Sequence, residues 1–185
     1  MSDYAHFIKV DLPQHKNLWE EFNEMDIKLK GNQICINAPS TTPNDYHRGC
    51  GSLFYNWGTA VYNNKKELIE LDEWDDPLKE SDFTDMCSVF SGTSFEKVYN
   101  DMKSQFNIGR VRIMKLPPGK VMSWHADDSK RLHYPIKTQL GCSMVIDDEV
   151  MHIPQDTWWL TDTTLKHTAF NASRSNRYHI VAAII

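Results

Sequence analysis

The sequence has little to hold it together apart from its own core. Among 185 residues there are four cysteines, at 35, 50, 87 and 142, and none belongs to a C-x-x-C pair. That argues against a zinc site built on paired thiolates. A chain this long buries roughly two-thirds of its unfolded surface and needs no disulfide framework. The cysteines are therefore read as reduced thiols. No apolar run approaches the length of a bilayer span; residues 180–185 are typical of the longest. The opening Met1-Ser2-Asp3-Tyr4-Ala5-His6 is polar and lacks the basic and apolar regions of a signal peptide. These absences point to a cytoplasmic protein with no membrane partner. Excess positive charge is missing too. Twenty Lys and Arg face 25 Asp and Glu, a net charge of -5, so nucleic acid is not expected as a partner. Internal repeats and low-complexity segments are absent.

What is present is ordinary globular composition, 41% hydrophobic and 24% charged, with an unusual supply of eight histidines and six tryptophans. One domain over residues 1–185 is expected. Its character changes near residue 107. Before that point, Leu18, Phe22, Met25 and Leu29 recur at helical spacing and predict an amphipathic helix over about residues 15–30. Phe95, Val98, Met102 and Phe106 predict a second, with Thr93 and Glu96 as a capping box. A further short helix is expected around 82–90. Residues 37–64, rich in Asn, Gly, Pro and Tyr, read as loops and short strands.

From residue 108 onward the pattern is β. Strands are expected at 110–116, 121–125, 132–138, 142–146, 150–153, 157–160, 167–170 and 178–185. Pro117-Pro118-Gly119 marks a turn and Asp147-Asp148 a tight hairpin. Strands at roughly ten-residue spacing indicate a sandwich or barrel. The expected fold is mainly β with N-terminal helices (α+β): a small jelly roll over 108–185, with residues 1–107 buttressing it and supplying the substrate region.

His125-Ala126-Asp127 carries the chemistry. On an extended segment, residues i and i+2 project to the same side, so an imidazole and a carboxylate can grip one metal ion. His167 is the natural third ligand. Two histidines and one carboxylate hold one face of Fe(II) and leave other positions open. Asp128 is the alternative carboxylate, but strand parity favours Asp127. Arg177 heads an almost wholly apolar strand, where a charge is expected to have a partner. A hairpin between 167 and 177 would bring its guanidinium back toward the metal, and its fork suits the far carboxylate of a dicarboxylate. Arg131 and His133 repeat the period-two spacing and could donate to the same ligand. Trp158 and Trp159 adjoin on a strand, so one ring is expected in the core and the other over a sheet face or helix.

The stretch from Arg110 to the C-terminus resembles the aspartyl/asparaginyl β-hydroxylase family of Fe(II)- and 2-oxoglutarate-dependent dioxygenases, which includes bacterial proline hydroxylases. The matching pieces run in order: Arg112-Ile113-Met114-Lys115-Leu116-Pro117-Pro118-Gly119, Trp124-His125-Ala126-Asp127, Arg131-Leu132-His133-Tyr134-Pro135, Asp162 through Asn171, and Arg177-Tyr178-His179-Ile180-Val181. The resemblance implies a cupin-like double-stranded β-helix. It implies Fe(II) held by His125, Asp127 and His167. It also implies 2-oxoglutarate held by Arg177, with Arg131 and His133 assisting. Hydroxylation of an amino acid or peptidyl residue, a small-molecule or peptide substrate, would then consume dioxygen and release succinate and CO2. Some relatives acting on secreted domains lack the carboxylate ligand. Asp127 is present here, which resembles the free amino acid hydroxylases more. The membrane anchor and helical repeats of the animal enzymes have no counterpart. Arg48 is a candidate for a substrate carboxylate and Trp124 for a wall of the pocket. Two other readings stand beside this one: a non-enzymatic jelly-roll metal or dicarboxylate sensor, and a cupin-type metal enzyme that uses no 2-oxoglutarate. Arg131 and Arg177 discriminate, because a cupin that uses only a metal has no need of them.

Overall fold

Side chains along residues 177–182 alternate between two destinations, and that alternation organises the molecule. Tyr178, Ile180 and Ala182 enter a large apolar cluster, whereas Arg177 and Val181 line a cavity on the opposite face. The same alternation puts Val111 and Ile113 in the cluster and Arg110 and Arg112 at the cavity. It also puts Leu132, Tyr134 and Ile136 in the cluster, with Arg131 and His133 at the cavity. One sheet therefore separates a dry face from a polar one.

The computed structural model describes residues 4–185; residues 1–3 and the Trp57 side chain lie outside the described residues. The elements in chain order are β1 (Phe7–Val10), α1 (Leu18–Glu24), β2 (Gln33–Cys35), β3 (Asn37–Pro39), β4 (Val61–Tyr62), β5 (Leu68–Glu70), β6 (Phe83–Met86), α2 (Ser94–Gln105), β7 (Ile108–Leu116), β8 (Lys120–Val121), β9 (Arg131–Lys137), β10 (Cys142–Ile146), β11 (Glu149–Met151), β12 (Trp158–Thr161), β13 (His167–Asn171) and β14 (Arg177–Ile184). A six-stranded sheet runs β1-β12-β9-β14-β7-β2, and a four-stranded sheet runs β11-β10-β13-β8. The pairings of these two sheets are antiparallel. This is a cupin-like double-stranded β-helix. The N-terminal region adds to the sheet as well as buttressing it: β1 pairs with β12 and β2 with β7.

Both helices cover the dry face. Leu18 and Phe22 of α1 join Phe95, Val98, Tyr99 and Met102 of α2 against Trp158, Tyr134 and Ile180. The spacing of the α2 residues is that of one helical stripe. Thr93 Oγ1 accepts from the Phe95 N–H at 3.1 Å, while Glu96 Oε2 accepts from the Gly92 N–H at 2.7 Å. Thr93 and Glu96 thus both cap the helix start, but not as the expected capping box: Thr93 takes the Phe95 N–H rather than that of Glu96, and Glu96 takes the Gly92 N–H rather than that of Thr93. A second apolar cluster between the sheets contains Phe7, Met144, Ile146, Ile153 and Trp159. The adjoining tryptophans therefore serve one cluster each, and Trp158 Nε1 donates to the Pro13 carbonyl.

Three sequence expectations are corrected. The first helix ends at Glu24 rather than near residue 30, because Asp26 has a left-handed φ of 47° that breaks helical continuity. Residues 82–90 are not a helix: β6 pairs with β3 there, followed by a 3-10 turn at Ser88–Phe90. Residues 167–177 do not form a hairpin. β13 pairs with β10 and β8 in one sheet, and β14 with β7 and β9 in the other. Asn171 Nδ2 donates to the Leu116 and Ser175 carbonyls, so the connection is tied to the neighbouring β7 end as it crosses. The expected hairpin at Asp147-Asp148 does form between β10 and β11, with Asp147 at φ 51°. Pro135 sits inside β9, where the register with β14 shifts, as a residue without an N–H requires. No helix among the described residues is long and apolar enough to cross a membrane.

Candidate metal and dicarboxylate site

His125 lies beyond the two-residue β8, yet it bridges to His167 at the start of β13. His125 N–H donates to the His167 carbonyl at 3.2 Å, and His167 N–H donates back at 2.8 Å. The two rings consequently lie side by side, tilted 52° to one another with centroids 4.2 Å apart. Asp127, two residues on, is fixed by its own N–H to the Thr163 carbonyl at 2.8 Å. The segment stays extended, so parity works as the sequence suggests. His125 and Asp127 are half-buried and turned inward, while Trp124, Ala126 and Asp128 are exposed.

Ligand atoms of His125, Asp127 and His167 all lie within 4.8 Å of one another. His125 Nε2 is 3.7 Å from Asp127 Oδ1, and His167 Nε2 is 3.8 Å from Asp127 Oδ2. These gaps are too long for hydrogen bonds. They suit donors that share one ion, since two atoms each about 2.1 Å from an ion stand roughly 3–4 Å apart. The tautomers suit it as well. His125 Nδ1 is 2.8 Å from the Ser123 carbonyl and His167 Nδ1 is 3.0 Å from the Leu165 carbonyl. A carbonyl only accepts, so each Nδ1 carries the proton and each Nε2 presents a lone pair. Burial holds the His167 imidazole below its ordinary pKa and keeps it neutral. The donor set fits a divalent metal of the kind bound by two histidines and a carboxylate.

Beside the three donors opens a cavity of about 1170 Å³. Its wall on the six-stranded sheet carries buried cations. Arg131 Nε stands 3.0 Å from Asp127 Oδ2, an ion pair whose N–H lacks a well-aligned acceptor. The same guanidinium reaches Glu80 Oε1 at 3.0 Å and Ser129 Oγ at 2.6 Å. Glu80 also takes both fork nitrogens of Arg110, each at 2.9 Å. Glu80 sits on a 3-10 turn, Glu80–Asp82, pressed against β7 at Gly109. A Cβ on Gly109 would lie 2.4 Å from the Glu80 carbonyl oxygen, so only glycine admits this approach.

Arg177 and Arg112 are different. Among the described residues, neither has a carboxylate within ion-pair distance, and both leave Nε without a partner. Burial presses Arg177 down to about 10 and Arg112 down to about 9, so both remain charged at neutral pH. Arg177 Nη2 is 3.2 Å from His179 Nδ1, which in turn is 3.4 Å from His133 Nδ1. A guanidinium only donates, so His179 Nδ1 is the acceptor and His133 Nδ1 carries a proton toward it. His133 Nε2 is left as a bare lone pair without a partner. Burial first, and the Arg177 charge second, hold both histidines well below their ordinary pKa.

The structure therefore brings His125, Asp127, His167, Arg131, His133 and Arg177 around one cavity. It does not bring Arg48 or Trp124 there. Arg48 pairs with Asp76 at 3.0 Å and lies over the Trp74 ring, and Trp124 is 56% exposed on the outward side of the strand. Sequence reasoning passed over Glu80 and Arg112. Glu80 carries no local signal. Arg112 carried a weaker one than Arg177: it alternates with the apolar Val111 and Ile113, but β7 also holds Arg110 and Lys115, so one more charge there does not stand out.

A family model described as aspartyl/asparaginyl beta-hydroxylase matches residues 45–185. No curated protein matches the sequence. Solved structures with a similar fold include a cupin domain from Bordetella pertussis Tohama I, at 15% identity, TM-score 0.37, covering 41% of this chain and 80% of that one. A 2OG-Fe(II) oxygenase family oxidoreductase from Burkholderia pseudomallei matches at 14% identity and TM-score 0.39, over 52% of this chain and 54% of that one. A viral collagen prolyl hydroxylase from Paramecium bursaria Chlorella virus-1, in complex with 2OG, matches at 14% identity and TM-score 0.39, over 49% of this chain and 68% of that one.

Proposed function

The chain belongs to the aspartyl/asparaginyl β-hydroxylase family, and on that premise we propose that it is an Fe(II)- and 2-oxoglutarate-dependent dioxygenase acting on an amino acid or peptidyl residue. One observation carries this reading. Two imidazole Nε2 atoms and a carboxylate converge at a cavity whose wall holds a buried guanidinium, Arg177, with no counter-ion among the described residues. A metal site alone would explain the first half of that arrangement and leave the second half unexplained. A dicarboxylate that meets the metal at one end and Arg177 at the other accounts for both.

His125, Asp127 and His167 would hold the iron. Bound Fe(II) with 2-oxoglutarate supplies the oxidation of an unactivated C–H bond by dioxygen, releasing succinate and CO2. The residues of this chain bind and orient. Arg131, anchored by Glu80, pairs with the Asp127 carboxylate and holds it turned toward the two histidines. Arg177 receives the far carboxylate. His133 stands between the metal donors and Arg177, and a change of tautomer would turn its Nε2 from acceptor to donor toward a bound carboxylate.

The test is succinate release from the purified protein with Fe(II), ascorbate and 2-oxoglutarate, across free amino acids and short peptides. The expected result is slow release without substrate and acceleration by at least one compound. No succinate under any condition, together with no 2-oxoglutarate binding to the metal-loaded protein, would overturn the assignment in favour of a metal-only cupin or a sensor module.

A further inference from the structure

One charged group on the cavity wall has no role in the reading above. Arg112 lies on β7 opposite Val181 of β14, and His133 lies opposite Val181 on the other side. Its Nη1 donates to Gln33 Oε1 at 2.9 Å, and that same oxygen accepts the Gly51 N–H at 3.0 Å. The amide oxygen is neutral and already shared, so it orients the guanidinium without neutralising it. Arg110, two residues earlier on the same face, has the full fork of Glu80. Arg112 has no such partner. A buried guanidinium without a counter-ion is costly, and such a group persists where a ligand completes it.

Arg112 is also separate from Arg177. Leu116 of β7 faces Arg177, whereas Arg112 itself faces Val181, so the two start four residues apart along the ladder, about 13 Å. The groups that bear most on Arg112 are Arg110, Glu80, Cys35 and Arg131, whereas the one that bears on Arg177 is Cys142. The ladder thus seats the two guanidiniums on different rungs, each with its own hydrogen-bond partner, Gln33 for Arg112 and His179 for Arg177. An Fe(II) ion and a 2-oxoglutarate dianion cancel each other, so cosubstrate binding leaves the positive excess of this wall in place. The N-terminal half contributes to the cavity lining as well, through Gln33 of β2 and through Gly51, Leu53 and Phe54 of the loop after β3.

We propose that Arg112, oriented by Gln33, is a second anion subsite that takes a carboxylate of the primary substrate, and hence that the substrate is a carboxylic acid. This rests on the dioxygenase reading, and the test separates the two. The Mn(II)-loaded protein is followed by thermal unfolding, first with 2-oxoglutarate alone. With 2-oxoglutarate saturating, matched acid and amide probes are then added: acetate and acetamide, L-proline and L-prolinamide, L-aspartate and L-asparaginamide. In wild type at least one acid raises Tm and its amide does not. In Arg112→Gln that rise is lost, while 2-oxoglutarate affinity changes less than threefold. Arg177→Gln weakens 2-oxoglutarate at least tenfold. Arg112→Gln removes an unpaired charge and should fold at least as stably as wild type; Arg112→Lys, which keeps the charge and loses the fork, should retain a reduced response. The inference fails if no acid raises the wild-type Tm or if acid and amide act alike. It also fails if Arg112→Gln weakens 2-oxoglutarate tenfold, which would assign Arg112 to the cosubstrate. Failure of 2-oxoglutarate itself to bind wild type would instead remove the dioxygenase reading.

Discussion

Arg131 Nε stands 3.0 Å from Asp127 Oδ2, and the far side of the same guanidinium stands 3.0 Å from Glu80 Oε1. The chain thus links a turn of its N-terminal half to the carboxylate of the metal-binding triad through one side chain. Glu80 is largely buried and holds Arg110 as well. Removing it leaves two buried guanidiniums short of a partner, and breaking a buried ion pair from one side costs about 3 kcal/mol. Glu80→Ala is expected to lose that much in urea unfolding. Because Arg131 would no longer be held, Mn(II) affinity should fall about tenfold, the usual effect of losing a partner behind a metal ligand. Unchanged metal affinity in a folded Glu80→Ala protein would separate the turn from the site.

The metal donors and Arg177 should be separable by mutation. His167→Ala removes one of the three converging donors and opens a buried gap, so metal binding is expected to be lost. Arg177→Ala touches no donor. It should bind Mn(II) as wild type does and bind 2-oxoglutarate at least tenfold more weakly, an expectation shared by any fork that meets a carboxylate in a desolvated site. Calorimetric titration with metal and then with keto acid checks both. Equal 2-oxoglutarate affinity in wild type and Arg177→Ala would show that the far carboxylate goes elsewhere.

The two buried histidines behind Arg177 predict a pH dependence of stability in the metal-free protein. His133 and His179 are held well below their ordinary pKa, chiefly by burial. Near and above an unfolded pKa of about 6.5, both states are neutral at these positions and nothing is lost. As pH falls below that value the unfolded chain takes up protons that the folded chain refuses. Stability then falls toward acid, by up to tenfold in the folding equilibrium per pH unit for each histidine, until the folded pKa is reached. His167 shifts in the same direction and adds to the effect. Urea midpoints between pH 7.5 and 5 measure it, and His179→Gln should show a visibly shallower slope. Identical slopes would mean that His179 is protonated in the folded state.

Local pattern decided how much was legible beforehand. Most strands from β7 onward announce themselves because they are bounded by turn residues and alternate or are largely apolar; β10 falls where it was expected, at 142–146, whereas the strand expected at 121–125 is only Lys120–Val121. The His125, Asp127 and His167 cluster was readable because parity on an extended segment is a two-residue property. What could not be read depended on distant partners. The pairing of β1 with β12 joins Phe7 to Thr161, and nothing near Phe7 specifies that. Residues 82–90 look helical in isolation but are drawn into β6 by β3. The Glu80 anchor depends on residues 30 and 51 positions away in sequence. Arg48, by contrast, looked available only because Asp76 and Trp74 lie in another loop.

Gly109 offers the most direct test that the Glu80 turn sets the site. At this position an added methyl would lie 2.4 Å from the Glu80 carbonyl oxygen and 2.8 Å from its carbonyl carbon, both backbone atoms that cannot rotate aside. The Gly109 carbonyl also accepts from Asn37 Nδ2 at 2.9 Å, so β7 itself is not free to retreat. The turn must move, and the Glu80 carboxylate moves with it, away from both Arg110 and Arg131. Gly109→Ala is expected to cost about 2–3 kcal/mol, the range of overpacking in a tight site. It should also weaken Mn(II) binding as Glu80→Ala does. The Gly119→Ala variant is the control. That glycine sits at φ +68° with nothing within 4 Å of an added Cβ, so it should lose only about 1 kcal/mol through backbone strain. Metal affinity in Gly119→Ala should equal wild type. If Gly109→Ala and Gly119→Ala destabilise alike and neither alters metal binding, the close approach of the Glu80 turn to β7 does not position the triad.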